Sequence, residues 1–250
     1  MTNRQKPLAL IGADAKNRFD NFLAKLDIKT VYLPSDNRLA LPVSSHSDML
    51  VFKLEDIIVC NTDYHNKNIE IFNQIKDYGY KILPTDFKVF SKYPNDISLN
   101  QALIGKYVVG LKEACEKSIL EIIEKRGYEY LNIKQGYAKC STLVLNEHAI
   151  ISADKNIIEC AKNIGCDMLK IENNEGAIAI NDYNYGFIGG ASFVYENSVY
   201  FFGNLDLHPE CKKIRSFCES HGFSTVSLDN DILYDVGGAI ILPYLEDLKK

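Results

Sequence analysis

Residues 136–152 read GYAKCSTLVLNEHAIIS, and residues 186–202 read GFIGGASFVYENSVYFF. Laid over one another, fifty positions apart and with no gap, Gly136 falls on Gly186, Tyr137 on Phe187 and Val144 on Val194. The polar trios Asn146-Glu147-His148 and Glu196-Asn197-Ser198 coincide. Both stretches are apolar arms around a short polar turn, the pattern of a β-hairpin. Self-similarity at a fixed spacing marks a repeat architecture, and the same frame extends along the chain in both directions.

Each hairpin is followed by apolar residues at helical spacing, then a glycine, then a short strand pattern. After the first, Ile157, Ile158, Ala161 and Ile164 predict a helix over 156–163, with Gly165 as its stop and a strand over 168–171. After the second, the pattern predicts a helix over 209–220, then Gly222 and a strand over 225–228. Glycine enters the left-handed region without strain, which makes it the expected helix terminator. Upstream, residues 48–59 predict a hairpin turning at Leu54-Glu55-Asp56, followed by a helix over 67–77, Gly79 and a strand over 80–83. Residues 101–109 predict a shorter hairpin turning at Gly105-Lys106, with a helix over 112–125, Gly127 and a strand over 128–133.

The two ends are complementary. Residues 235–242 offer an opening strand, while the N-terminal region offers a helix over 16–25 and a strand over 30–33. A strand over 8–12 beside 239–242 would clasp them into a fifth unit. Closure ties down the ends of the chain and removes the open edge of a linear array. The expected fold is therefore α/β: five ββαβ units in a ring, a single domain over residues 1–250, with opening strands at the centre and helices outside. A doubly wound sheet is the competing reading of strand–helix alternation. No Gly-x-Gly-x-x-Gly follows the first strand, so a dinucleotide site has little support.

Composition narrows the class. At 250 residues, with 46% hydrophobic and 24% charged residues, the chain matches ordinary globular proteins. A net charge of −5 with no basic run gives no nucleic-acid footprint. The apolar run over 8–13 is too short for a secretory segment or a membrane span. Seven cysteines, an odd number without Cys-x-x-Cys, read as reduced thiols. These features predict a soluble cytoplasmic protein with no nucleic-acid and no membrane partner.

Two short motifs carry the chemistry, Ser45-His46-Ser47-Asp48 and Lys139-Cys140-Ser141-Thr142. A His, a carboxylate and a Cys are the parts of a thiol nucleophile site. Aligned by unit, Asp48, Cys140, Gly190 and Gly238 occupy one place, which a ring would gather around a central pore. On strands, His46 and Asp48 would face the same way, and Lys139 would face away from Cys140. Glycines at such places would open space for a ligand.

Plainer readings stand beside these. A free Cys is most often a small buried thiol. His46 could be a turn residue, Asp48 a hydrogen-bonded strand start, and Asp235 a turn residue. Cys115, Cys160, Cys166 and Cys218 read as core; Cys60 and Cys211 have no motif around them. His208 lies in a loop insertion that reads as a lid or a helix start, and His65 as helix-cap context. No His/Cys/Asp grouping has metal-ligand spacing, so no metal and no cofactor are expected.

Five pseudo-symmetric ββαβ units with this glycine placement resemble the pentein fold of the guanidino-group-modifying enzymes: arginine and agmatine deiminases, dimethylarginine hydrolases and amidinotransferases. The repeat pattern covers the chain; two short strings carry the motif-level likeness. Arginine deiminases have His-Leu-Asp-Thr before apolar residues, where this chain has His46-Ser47-Asp48-Met49-Leu50-Val51-Phe52. They have Gly-Gly-x-x-Cys before a small polar residue, where this chain has Gly136-Tyr137-Ala138-Lys139-Cys140-Ser141. In both, the Cys lies two units after the His.

The order of units is permuted, so the family's two further acidic motifs correspond to the fourth and fifth units here. The fourth, Phe187-Ile188-Gly189-Gly190-Ala191-Ser192, has no acid. The fifth, Tyr234-Asp235-Val236-Gly237-Gly238, has Asp235 one place out of register with the family's Glu-Gly-Gly-Asp.

The resemblance implies a thiol-dependent hydrolase or an amidinotransferase-like enzyme. It would act on a small amidine, guanidine or amide C–N bond through a covalent Cys intermediate. Cys140 would be the nucleophile and His46 the acid and base. Asp48, Asp235, Gly190 and Gly238 would surround a small-molecule substrate in the central pore. A thiol with a pKa of ~8.5 needs nearby positive charge to ionise at neutral pH, expected here from His46. The missing acids equally fit a non-catalytic member that binds a small molecule or a protein, since fold alone does not set function.

Overall fold

The computed structural model describes residues 5–173 and 175–249. The chain opens with β1 (Leu8–Gly12), α1 (Lys16–Leu23) and β2 (Lys29–Leu33). The one-turn helix α2 (Ser47–Leu50) then leads into β3 (Val51–Leu54), β4 (Ile57–Asn61), α3 (Thr62–Lys67), α4 (Ile69–Asp77) and β5 (Lys81–Thr85). Next come β6 (Ala102–Ile104), β7 (Tyr107–Gly110), α5 (Lys117–Lys125) and β8 (Glu129–Asn132). A second one-turn helix, α6 (Ala138–Ser141), leads into β9 (Thr142–Asn146), β10 (Ala149–Ser152), α7 (Lys155–Asn163) and β11 (Asp167–Lys170). The last stretch holds β12 (Ile178–Ala179), β13 (Ser192–Tyr195), β14 (Ser198–Phe201), α8 (Cys211–Ser220), β15 (Ser224–Ser227), β16 (Leu233–Tyr234) and β17 (Ala239–Leu242).

These strands form small mixed sheets of one kind. The orders β3-β4-β5, β6-β7-β8, β9-β10-β11, β13-β14-β15 and β17-β1-β2 are all three-stranded. In each, the central strand pairs antiparallel with one neighbour and parallel with the other. The parallel strand starts the same way every time, its first N–H donating to the turn or loop that precedes the central strand. The bonds are Lys29 to Pro7, Lys81 to Asp56, Glu129 to Lys106, Asp167 to His148 and Ser224 to Asn197. The fifth sheet joins the two ends of the chain, with Leu8 opposite Leu242 and Ile11 opposite Ala239. First strands of successive sheets lie side by side: β6 against β9, β9 against β13, and β13 against β17. A separate pair, β12 with β16, anchors the segment before β13 next to Asp235.

Each helix buries one apolar stripe. Ile119, Ile122 and Ile123 of α5, Ile157 and Ala161 of α7, and Ile214 and Cys218 of α8 lie in separate hydrophobic clusters, each built with residues of the helix's own sheet and of the sheet before it. Burying such side chains stabilises each layer by ~1.5–3 kcal/mol apiece. Gly79, Gly127, Gly165 and Gly222 all follow helices with φ between 71° and 92°, the conformation their positions required. Among the described residues no helix is long and apolar enough to cross a membrane.

Several boundaries differ from the sequence expectation for local reasons. The helix expected over 67–77 is two helices meeting at Asn68, whose side-chain amide donates to the Tyr64 carbonyl. The helix expected over 112–125 starts at Lys117, because Glu116 is extended and caps it by accepting from Ser118 N–H. His65 lies inside α3, whose cap is Asn61. His208 is buried in the loop before α8, where its Nδ1 accepts from Glu210 N–H. It lies at a helix start and lines none of the cavities described below.

The largest difference concerns the motifs themselves. Asp48 and Cys140 are not on strands. They sit in one-turn helices immediately before β3 and β9. A single turn has no periodicity to reveal it, and the residues around it are as apolar as a buried strand.

Candidate active site

The turn before β9 positions the thiol. Ser141 N–H donates to Tyr137 O at 2.9 Å, and Thr142 Oγ1 donates to Ala138 O at 2.7 Å, locking the helical turn around Cys140. Cys140 Sγ donates to Asp48 Oδ2 at 3.0 Å. Asn100 holds the pair from the loop before β6: its Nδ2 donates to Cys140 Sγ at 3.0 Å and to the Asp48 carbonyl at 3.3 Å. Its Oδ1 accepts from the N–H groups of Lys139 and Cys140 at 2.9 and 3.2 Å.

His46 and Asp235 form the facing half. The imidazole Nδ1 lies 3.8 Å from Asp235 Oδ1 and makes no hydrogen bond. Asp235 is fixed by Phe187 N–H on Oδ2 at 2.8 Å and by Gly237 N–H on Oδ1 at 3.0 Å. Its backbone N–H donates to Ala179 O, so the β12–β16 pair sets its height. Gly190 N–H donates to Cys140 O, and Gly190 O accepts from Val236 and Gly238, stitching this half to the Cys140 turn. Ser47 Oγ donates to Gly237 O at 3.0 Å, stitching it to the turn that carries Asp48.

A cavity of about 350 Å³ opens over these residues, with His46, Cys140 and Asp235 on its wall. Tyr137, Tyr183 and Phe187 line it as well. Cys140 is only 3% exposed, yet it lies on this wall rather than in sealed core. Asp48, at 1% exposure, is not on the wall; it stands behind the thiol.

Charge in this cluster runs opposite to the sequence expectation. Burial pushes the Cys140 thiol well above its ordinary value, and the negative charges of Asp48 and Asp235 push it further. The Asn100 hydrogen bond acts downward. Burial also raises Asp48, against the pull of Lys139 and His46. Lys139 faces away from the Cys140 cavity, as expected, but its charge still reaches Asp48.

The two glycines also behave differently from expectation. Gly190 does not open space for a ligand, because a Cβ there would run into the Asp235 carboxylate. At Gly238, with φ +66°, a Cβ would meet Gly189 O at 2.8 Å and Ser192 O at 3.1 Å. Both spaces are taken by the protein's own atoms, which lets the chain close tightly behind the site.

Cys140, Asp48, His46, Asp235 and Gly190 thus converge, from segments far apart in sequence. Sequence reading missed Asn100, although the frame contained it. Asn100 stands two residues before β6, as Cys140 stands two before β9 and Gly190 two before β13. The aromatic wall from Tyr183 to Phe187 carried no motif.

A solved amidinotransferase from Microseira wollei is similar at 10% identity, with 93% of this chain and 80% of that chain covered and a TM-score of 0.62. DDAH from Pseudomonas aeruginosa, complexed with citrulline, is similar at 13% identity, covering 90% and 92%, with a TM-score of 0.56. An agmatine deiminase of C. jejuni follows at 10% identity, covering 96% and 83%, with a TM-score of 0.52. These likenesses show a mixed α/β fold of small sheets, similar to pentein-fold structures. No curated protein matches the sequence. Residues 10–240 match DUF6873, a family of unknown function, and the chain belongs to that family.

Proposed function

We propose that the chain is a thiol-dependent hydrolase of a small cationic amidine or guanidine. Its framework in this reading is a closed five-bladed propeller of ββαβ units, one domain over residues 1–250. The observation that carries the reading is the Cys140 thiol bonded to Asp48 at 3.0 Å, on the wall of a cavity that His46 and Asp235 share. Asp235, on the wall of this cavity, accepts hydrogen bonds from the backbone N–H groups of Phe187 and Gly237, and these leave its negative charge unmatched. An amidinium or guanidinium matches it, donating N–H groups to Asp235 in charge-assisted hydrogen bonds. The same cation offsets the field that holds the thiol protonated, so substrate binding favours the thiolate.

In the reaction, Cys140 Sγ attacks the central carbon and its proton passes to His46. The C–N bond breaks as His46 gives that proton to the departing amine. Water then attacks the carbon held on sulfur, His46 takes a proton from it, and the C–S bond breaks with that proton returned to sulfur. The product is a urea or an amide. An amine in place of water would make the same site an amidinotransferase. Asp48 and Asn100 orient the thiol from behind. A small-molecule partner and a reducing, cytoplasmic setting belong to this reading, which is supported by seven free cysteines.

A second reading, a non-catalytic binding member of the fold, is favoured by the raised thiol. Turnover separates the two. Wild-type protein incubated with a panel of alkylamidines and alkylguanidines should release amine or ammonia, and Cys140→Ala should lose that release by on the order of 10³-fold or more. Saturable binding of the panel with no release, equal in both proteins, would instead establish the binding reading.

A further inference from the structure

Asp48 lies between two cavities. A second one, of about 200 Å³, has Asp48 on its wall and does not reach Cys140, His46 or Asp235. Its sides come from β3, β6, β9 and β17, through apolar residues such as Val51, Leu103, Val144 and Ile240. The polar residues on its wall are Asp48, Lys53, Gln101 and Lys139.

Gln101 is already engaged, its Oε1 accepting from Tyr130 and its Nε2 donating to Ile97 O. The two ammonium groups are not. Among the described residues neither Lys53 nor Lys139 makes an ion pair or hydrogen bond through its side chain. Lys139 acts on Asp48 through charge alone, and nothing but burial acts on Lys53, lowering its pKa. Two ammonium groups against one carboxylate leave one positive charge unmatched. An unmatched charge beside an apolar wall is costly, and a counter-ion of one negative charge removes that cost.

We propose that this cavity binds a small aliphatic monocarboxylate, its head between Lys53 and Lys139 and its chain against Val51, Leu103 and Ile240. A dianion such as phosphate exceeds the unmatched charge, and these apolar walls cannot solvate its remaining oxygens. No arginine lines the cavity to hold one in a bidentate fork. The site is separate from the Cys140 cavity, so it stands or falls independently of the proposed hydrolysis.

Calorimetric titration of the full chain with butyrate tests this. Saturable one-to-one binding is expected, weakened at least tenfold in Lys53→Met and in Lys139→Met, and largely retained in Lys53→Arg. Thermal melts of each variant identify any that does not fold, and the two lysine sites give independent readings. Butylamine, with the same chain and the opposite charge, should not compete. The proposal is overturned if butyrate fails to saturate or if folded Lys53→Met and Lys139→Met bind it like wild type. Equal competition by butylamine, or displacement by equimolar phosphate, would overturn it too.

Discussion

The turns before β9 and β13 share one backbone and differ in what they project. Ser141 N–H to Tyr137 O and Ala191 N–H to Phe187 O are both 2.9 Å. Thr142 Oγ1 to Ala138 O and Ser192 Oγ to Ile188 O, at 2.7 and 2.6 Å, repeat the same side-chain bond. One turn carries Cys140 and aims a thiol at a carboxylate. The other carries Gly190 and leaves a space that a carboxylate fills. Two turns of the same backbone geometry thus supply equivalent positions, and they differ in that one holds a thiol and the other makes room for a carboxylate.

The comparison breaks most directly at Gly190. Gly190→Ala places a methyl against the Asp235 carboxylate, and overpacking of this kind costs about 3 kcal/mol. Urea unfolding should show a lower midpoint with an unchanged slope. A control, Ala138→Gly in the other turn, removes a methyl without crowding and should not displace Asp235. If Gly190→Ala is as stable as wild type, Asp235 is not locked in that space.

Asn100 sharpens it next. Asn100→Ala leaves two backbone N–H groups and the thiol without their partner, at a cost of about 2 kcal/mol. Because the Asn100 hydrogen bond lowers the thiol pKa, its loss should also slow Cys140 alkylation at neutral pH. Unaltered alkylation in a folded variant would place Asn100 in a purely architectural role.

Asp48 gives the smallest effect and the clearest sign. Its negative charge raises the thiol, so Asp48→Asn should lower it and increase thiolate at pH 7. A change of one unit corresponds to about tenfold in the alkylation rate. The carboxyl itself is raised by burial, so the folded state binds its proton more readily than the unfolded state. Its cost to stability is therefore full above the folded value and fades as pH falls through that value toward the unfolded one. Asp48→Asn should gain stability at neutral pH, with the gain shrinking in acid.

Much of this was legible in the sequence. The hairpin arms alternate around polar turns, and helix lengths follow from apolar spacing closed by Gly79, Gly127, Gly165 and Gly222. The clasp over 8–12 and 239–242 followed from what each end lacked. The one-turn helices at Ser47–Leu50 and Ala138–Ser141 were not legible, because four residues cannot display a period. Asp235 was readable as a residue but not as a neighbour of His46. Its place depends on Gly237 and Gly238, both at positive φ, which turn the chain before β17. Asn100 was legible by its offset from β6. The direction of the thiol's charge was not, since burial belongs to the folded molecule alone.

The central claim is that Cys140 attacks carbon in a cavity that selects cations. Chloroacetamidine and chloroacetamide carry the same alkylating carbon and differ in charge, and peptide mapping by mass spectrometry locates their adducts. The account predicts that the cationic reagent labels Cys140 at pH 7 at least tenfold faster than the neutral one, with saturation, and that Cys160 and Cys211 show no such preference. Equal rates on Cys140, or labelling confined to the more exposed cysteines, would contradict it.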